Sequence, residues 1–389
     1  MFDDKGDSSE SPFVVLPSRI LARLPTGLVV AYTAVMSLRP NLPREALLAL
    51  GLAVSFAVGG CRSSVGASRA DLAPANPTLK WSTGSGTPEA QQRAALPLVF
   101  LPTQNVLAGF GGTPVTAQGV WSYSLASNTW AKMPVGSALP AGRTGLCAAY
   151  LPTQDRVLFV GGHNDAGPMS PTAILFAPST STFADVPSAG PPPANGCAAA
   201  YLPKVNGAVV VGASADTWLF DGSKGTFSSI TTAHSPSARH DAAMVYDAGT
   251  TATSGRLLLF GGTTATSESA ELWAFDGADW AELGTNGDPL AQDSDDPRPM
   301  SRARAAIGID TNRRLLYVFG GLRMGQYLND LWRLDLRTSA WEKLALGVGP
   351  TGRADASVAY DPSGDRILVF GGIGASGMLS DGWVLAPAR

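Results

Sequence analysis

Charge is scarce in this chain, and so are the residues that usually do chemistry. Only 15% of its 389 residues are Asp, Glu, Lys or Arg, and the whole length holds three histidines and three cysteines. Lys and Arg (28) nearly balance Asp and Glu (31), leaving a net charge of −3, so the basic footprint of a nucleic-acid-binding surface is missing. Nor is the acidic excess large enough to hold the chain unfolded. His163, His234 and His240 include no pair at metal-ligand spacing. No Gly-Xaa-Ser-Xaa-Gly elbow, phosphate-binding loop or paired-carboxylate motif occurs, so no known catalytic signature is at hand. What the chain does have is glycine (44) and proline (29), a composition that argues against long helices. It suits many short strands joined by tight turns.

The first 77 residues differ from the rest. Residues 1–35 begin acidic (MFDDKGDSSE), lack the basic start of a targeting signal, and read as an upstream extension ahead of Met36. A second apolar stretch, Thr26 to Leu38, leaves the start site open between the two methionines. After Met36, Arg39 and Arg44 supply positive charge, Ala46 to Val58 is uncharged and apolar, and Val58-Gly59-Gly60-Cys61 closes the run. Thirteen apolar residues are too few to span a bilayer comfortably but suit the core of a signal peptide. Val-Gly-Gly-Cys resembles the lipobox of bacterial lipoproteins, in which small residues precede a cysteine that is lipidated and becomes the mature N-terminus. The resemblance implies a signal peptide at 36–60, lipidation of Cys61 and membrane attachment through that N-terminal lipid. It also implies a cell-envelope location, in the outer membrane because Arg62 rather than Asp follows the cysteine. A short uncleaved anchor is the competing reading. Residues 61–77 then hold the lipidated Cys and a flexible tether of small and polar residues.

From residue 78 a unit recurs. VLAGFGG (106–112), RVLFVGG (156–162), RLLLFGG (256–262), RLLYVFGG (314–321) and RILVFGG (366–372) are copies of one strand, with GAVVVGA (207–213) a degraded sixth. Their first glycines fall at 111, 161, 212, 261, 320 and 371, and the one long step contains the insertion DPLAQDSDDPRPMS. An aromatic ends each unit (Trp81, Trp130, Phe183, Phe227, Trp280, Trp341) and is expected to bury itself against the next sheet. An arginine usually follows twelve or thirteen residues later: Arg93, Arg143, Arg239 and Arg353, with Asn195 in its place once and Arg304 delayed by the insertion. Strands that are apolar on consecutive residues need burial on both faces. A glycine pair allows close approach by a neighbouring sheet. The period near fifty and these landmarks resemble the kelch repeat over residues 78–389. That resemblance implies an all-β, six-bladed kelch β-propeller. The last unit runs out after three strands, so Leu79-Lys80-Trp81 is expected to supply its fourth and seal the ring.

In that architecture the loops after the glycines share one face with the connections between blades, and the most variable segments fall there. Arg93, Arg143, Arg239, Arg304 and Arg353, with His163 and His240, form a possible binding face at the channel mouth, where guanidinium groups suit carboxylate, phosphate or sugar hydroxyls. The competing reading makes the arginines structural, tying adjacent blades through backbone carbonyls. Galactose oxidase shares the kelch scaffold, but its copper ligands have no counterpart pattern here. The cluster Asp288, Asp293, Asp295 and Asp296 lacks a calcium-loop spacing. No cofactor is implied. Cys147 and Cys197 occupy matching positions in adjacent units and are expected to be buried thiols too far apart to bond, with a disulfide as the alternative. The sequence therefore points to a lipid-anchored envelope module that presents a loop face to a protein or glycan partner. The alternative is a sugar-directed enzyme, mutarotase- or oxidase-like, working at the channel mouth.

Overall fold

The structure, a computed structural model, describes residues 19–23, 29–33, 78–84, 93–116, 119–168, 172–186, 195–250, 254–283 and 298–388. Two compact units divide the chain, Met1–Asp71 and Leu72–Arg389. In the first, Arg19–Arg23 and Val29–Thr33 pair as an antiparallel hairpin. The signal peptide expected at 36–60, Cys61, the tether to 77 and the acidic insertion through Asp296 lie outside the described residues. Among the described residues no helix is long and apolar enough to cross a membrane.

The second unit is a ring of six antiparallel sheets, each built on four strands, with a short fifth, Gly167–Pro168, paired to the second strand of blade 2. Blade 1 is built from Leu98–Leu101, Val106–Phe110, Val120–Ser124 and Thr129–Met133. Blade 2 follows with Thr144–Leu151, Arg156–Asn164, Ala173–Ala177 and Thr182–Asp185, and blade 3 with Ala198–Leu202, Gly207–Val211, Thr217–Asp221 and Thr226–Ile230. Blade 4 comprises Ala243–Asp247, Arg256–Phe260, Leu272–Phe275 and Trp280–Glu282. Blade 5 comprises Ala306–Asp310, Leu315–Phe319, Leu331–Asp335 and Ala340–Leu344. Blade 6 takes Ser357–Asp361, Arg366–Phe370 and Gly382–Pro387 from the end of the chain, and its outer strand is Leu79–Gly84 from the beginning. Leu79 pairs with Pro387, Trp81 with Leu385 and Gly84 with Gly382, which closes the ring as the repeat count requires.

The core is six separate cores, one at each interface between blades. The second strand of a blade shows why. In blade 5, Leu316 and Val318 pack toward blade 4 beside Leu258 and Phe260. Leu315, Tyr317 and Phe319 pack the other way, beside Ile367, Val369 and Trp81 of blade 6. Period-two alternation thus serves two neighbours, and every residue of that strand must be apolar. The repeat-ending aromatics divide into two groups. Trp81, Trp130, Phe227 and Trp280 are buried as expected. Phe183 and Trp341, on the same outermost strands of blades 2 and 5, are only half-buried.

Candidate binding face at the channel mouth

The innermost strands of all six blades line a central channel of about 280 Å³, walled mainly by Ala, Val, Leu and Ile. Its mouth is where those strands begin, on the face shared by the loops that follow each glycine pair. Two sets of residues meet there, and they have different tasks.

The first set is the recurring arginine. Arg93, Arg143, Arg239 and Arg353 are each 2% exposed or less, so they present no guanidinium to a ligand. Arg353 shows their work: Nη1 donates to the Gly371 carbonyl at 2.9 Å, and Nη1 and Nη2 reach the two Asp381 oxygens at 2.6 and 2.8 Å. Asp381 also accepts from Trp383 Nε1 at 2.6 Å, so one side chain ties the first three strands of its own blade. Arg239 repeats this with Gly261, Glu271 and Trp273. Arg93 donates to Gly111 O, and Arg143 Nε donates to Ala141 O.

In blade 5 the same post is held by Arg302, not by Arg304. Arg302 is fully buried, bonded to Gly320 O and, through both terminal nitrogens, to Asp330, which Trp332 also holds. Burial pushes Asp330 up, but Arg302 and Trp332 outweigh it and hold the carboxyl below its usual value. The structural reading of the arginines thus prevails, in altered form. The side chain bonds a carbonyl within its own blade, and the main chain makes the link between blades. Gly112 N donates to Arg143 O, Gly262 N to Arg302 O, Gly321 N to Arg353 O, and Gly372 N to Arg93 O across the ring closure. The first glycine of each pair leaves room for that approach. A Cβ on Gly320 (φ +62°) would stand 2.6 Å from the Arg353 carbonyl oxygen.

The second set is a ring of six residues two positions past the clamp: Ala95, Gly145, Gly196, Asp241, Arg304 and Asp355. All have positive φ, between 52° and 71°. Main-chain bonds join them head to tail: Ala95 N to Asp355 O, Asp355 N to Arg304 O, Arg304 N to Asp241 O, Asp241 N to Gly196 O, and Gly196 N to Gly145 O, at 2.7–3.1 Å. The left-handed backbone that a non-glycine residue normally avoids is stabilised here by those bonds. The ring is chemically lopsided. Blades 1–3 contribute Ala, Gly and Gly, whereas blades 4–6 contribute Asp241, Arg304 and Asp355.

Arg304 Nε donates to Asp241 at 3.0 Å, and Arg304 Nη1 lies 3.5 Å from Asp355. His240 Nδ1 is 3.0 Å from the same Asp241 carboxylate, with its ring exposed. His163 sits at the opposite side of the mouth, 3.0 Å from Asn195. Of the seven residues expected to form a binding face, the structure therefore brings only Arg304, His240 and His163 to the mouth. Asn195 is not the missing clamp of blade 3. Counting eighteen residues back from the first glycine reaches Arg93, Arg143, Arg302 and Arg353, and in blade 3 it reaches Ala194; only in blade 4, where the turn between the first two strands is longer, does the clamp Arg239 lie farther back. Among the described residues no group of His, Cys, Asp and Glu is arranged to hold a metal.

Two carboxylates share one guanidinium at this mouth, with a measurable consequence. Burial pushes Asp355 up to about 6; Arg304 opposes the shift and Asp241 adds to it. A carboxyl raised above its unfolded value favours its protonated form in the folded state. Its contribution is therefore complete below about pH 4 and is lost as pH rises through about 6. Asp355→Asn is expected to stabilise the protein at pH 7.5 by about 1–2 kcal/mol, after discounting for partial exposure, with no gain at pH 4. Urea melts at the two pH values measure the difference; an equal effect at both would show that Asp355 is ionised throughout.

Cys147 and Cys197 also line this channel, and here the expectation of separate thiols fails. Their Cα atoms are 5.4 Å apart and the sulfurs are bonded, joining the innermost strands of blades 2 and 3. Innermost strands converge on the axis more closely than matching positions farther out, which brings the pair within bonding reach.

Six four-stranded blades around a channel, sealed by an N-terminal strand, define a β-propeller. Residues 250–389 match the family model described as the KLHDC2/KLHL20/DRC7 Kelch-repeats domain, and the propeller is of the kelch-repeat type, a typical protein-binding scaffold. The matched stretch contains two of the complete Arg–carboxylate–Trp clamps, Arg302–Asp330–Trp332 and Arg353–Asp381–Trp383. No curated protein matches the chain.

Proposed function

We propose that this chain is an exported, lipid-anchored kelch module that binds a protein partner through its loop face. The observation that carries the reading is the spending of the arginines. Arg93, Arg239, Arg302 and Arg353 are consumed inside the blades as clamps. Four of the arginines that would read a sugar are thereby removed from the mouth, leaving Arg304, His240 and His163 there. What projects instead are rigid loops: two-stranded hairpins at Leu322–Tyr327 in blade 5 and Ile373–Met378 in blade 6. The Cys147–Cys197 bond supports an oxidising compartment, in keeping with the lipobox-like Val58-Gly59-Gly60-Cys61 and attachment to the outer membrane.

Two measurements test this on the full chain. Growth with an alkyne-bearing fatty acid is expected to label the protein, and Cys61→Ser to abolish both the label and its membrane fractionation; unchanged labelling would refute the anchor. Cross-linking in intact cell envelopes is expected to capture a saturable protein partner, lost when the loop-face hairpins are substituted. Capture of carbohydrate alone would move the reading to a sugar-directed enzyme.

A further inference from the structure

The described residues include only five large apolar side chains that stand exposed, and four of them fall in one sector. Met300, Met324 (71% exposed), Val348 (88%) and Met378 all lie on the loop face of blades 5 and 6; the fifth, Phe100, is in blade 1. Met300 is in the connection entering blade 5, Met324 at the tip of that blade's hairpin, Val348 in the connection entering blade 6, and Met378 in the hairpin of blade 6.

Contacts between these four segments make them one rim. Arg323 Nε donates to Ser301 Oγ at 3.3 Å, fixing the Met300 connection against the Met324 hairpin. Arg353 N donates to Leu328 O at 3.0 Å, and Gly352 abuts the Tyr327 carbonyl so closely that no side chain fits there. A Cβ on Gly374 would in turn stand 2.8 Å from Gly352 O, which lays the blade 6 hairpin along the same connection. Apolar surface exposed on a rigid backbone favours association. Methionine adapts its shape to a partner at little cost.

The charge on the rim selects the partner's chemistry. Asp330 is held by Arg302 and Asp381 by Arg353, while Glu268 accepts from Met324 N at 3.1 Å. Arg323, between two of the apolar positions, meets no carboxylate among the described residues; its bond is to the Ser301 hydroxyl. An arginine beside apolar contacts is a common centre of binding energy.

We propose that the blade 5–6 rim formed by Met300, Arg323, Met324, Val348 and Met378 docks a protein segment that presents large apolar side chains next to a carboxylate. This rests on the loop-face reading above and adds the sector and the partner chemistry. The test is selection of a displayed random-peptide library on the full chain in detergent, followed by affinities of synthetic peptides made to the selected consensus. Enriched peptides are expected to pair Asp or Glu with at least two large apolar residues. Met324→Ser with Met378→Ser should weaken them tenfold or more, and selection on Arg323→Glu should exchange the acidic residue for a basic one.

No enrichment, a consensus without an acid, or affinities unmoved by the variants would overturn the proposal. Two further outcomes would also overturn it by naming a different occupant. One is Met324-dependent binding of the Cys61→Ser chain to phosphatidylethanolamine–phosphatidylglycerol vesicles; the other is Met324-dependent self-association in sedimentation. An envelope partner still captured by the Met324→Ser, Met378→Ser, Arg323→Glu chain would leave the loop-face reading standing and remove only this sector. Met324 and Met378 are exposed and Arg323 is half-buried in the short blade 5 hairpin, so an unchanged thermal melt verifies that each rim variant is folded.

Discussion

Replacing both Cys147 and Cys197 with serine is expected to lower the stability of the propeller by about 2–4 kcal/mol, and reduction of the native protein to do the same. The bond closes a segment of 50 residues, and confining a loop of that length in the unfolded chain is worth up to about 4 kcal/mol. Its position suggests that the folded state needs it as well. Blade 3 is the one blade whose sequence lacks the clamp arginine, with Ala194 in its place, and its glycine pair is reduced to Gly212-Ala213. The rest of the clamp has survived without its centre. Asp216 and Trp218 stand where Asp330 and Trp332 stand in blade 5. Yet Asp216 points to solvent, and the buried Trp218 Nε1 finds no hydrogen-bond partner among the described residues. The covalent bond thus joins the innermost strand of blade 2 to that of the one blade without a clamp arginine. Equilibrium urea unfolding with and without reductant measures the loss. A change below about 1 kcal/mol would mean that the inter-blade core around Val160, Val210 and Phe220 holds this interface by itself.

The repeat was legible because the same interface recurs six times and imposes the same demands each time. Consecutive apolar residues in Ile367-Leu368-Val369-Phe370 required burial on two sides, and the structure supplies a neighbour on each. Ring closure by Leu79–Gly84 followed from counting strands. The site was less legible, for two physical reasons. The arginines recur with the repeat because they serve the repeat, and in sequence only the carboxylate and tryptophan that accompany Arg239, Arg302 and Arg353 show that the guanidinium is already satisfied. The phase was also read forward from the terminal aromatic, across the insertion, which selected Arg304. The steadier distance runs the other way: in blades 1, 2, 5 and 6 the hairpin of the first two strands has one length, so counting back from the glycine finds Arg302, and only the longer turn of blade 4 departs from it. The disulfide was hidden because sequence position does not convey how steeply the innermost strands converge on the axis.

Arg302 and Arg304, two residues apart, are expected to differ sharply in the cost of alanine substitution. Arg302→Ala should cost about 3–5 kcal/mol, the loss typical when one partner of a buried, hydrogen-bonded ion pair is removed. It leaves Asp330 (9% exposed) without its counter-charge, Trp332 Nε1 donating to a carboxylate that is no longer anchored, and the Gly320 carbonyl without its donor. Arg304 is 40% exposed and its bonds face the wet channel mouth, so Arg304→Ala should cost no more than about 1 kcal/mol. The loss of Arg304 should also leave Asp241 and Asp355 facing each other without a cation, which makes the small cost grow as pH rises past about 6. Urea melts of the two variants at pH 5 and pH 8 separate these cases. Equal, modest losses would mean that Arg302 is solvated in solution and that the clamp is not what holds blade 5 shut. A large loss for Arg304→Ala alone would return the clamp to the position that forward counting selects and would leave Arg302 free to serve a ligand.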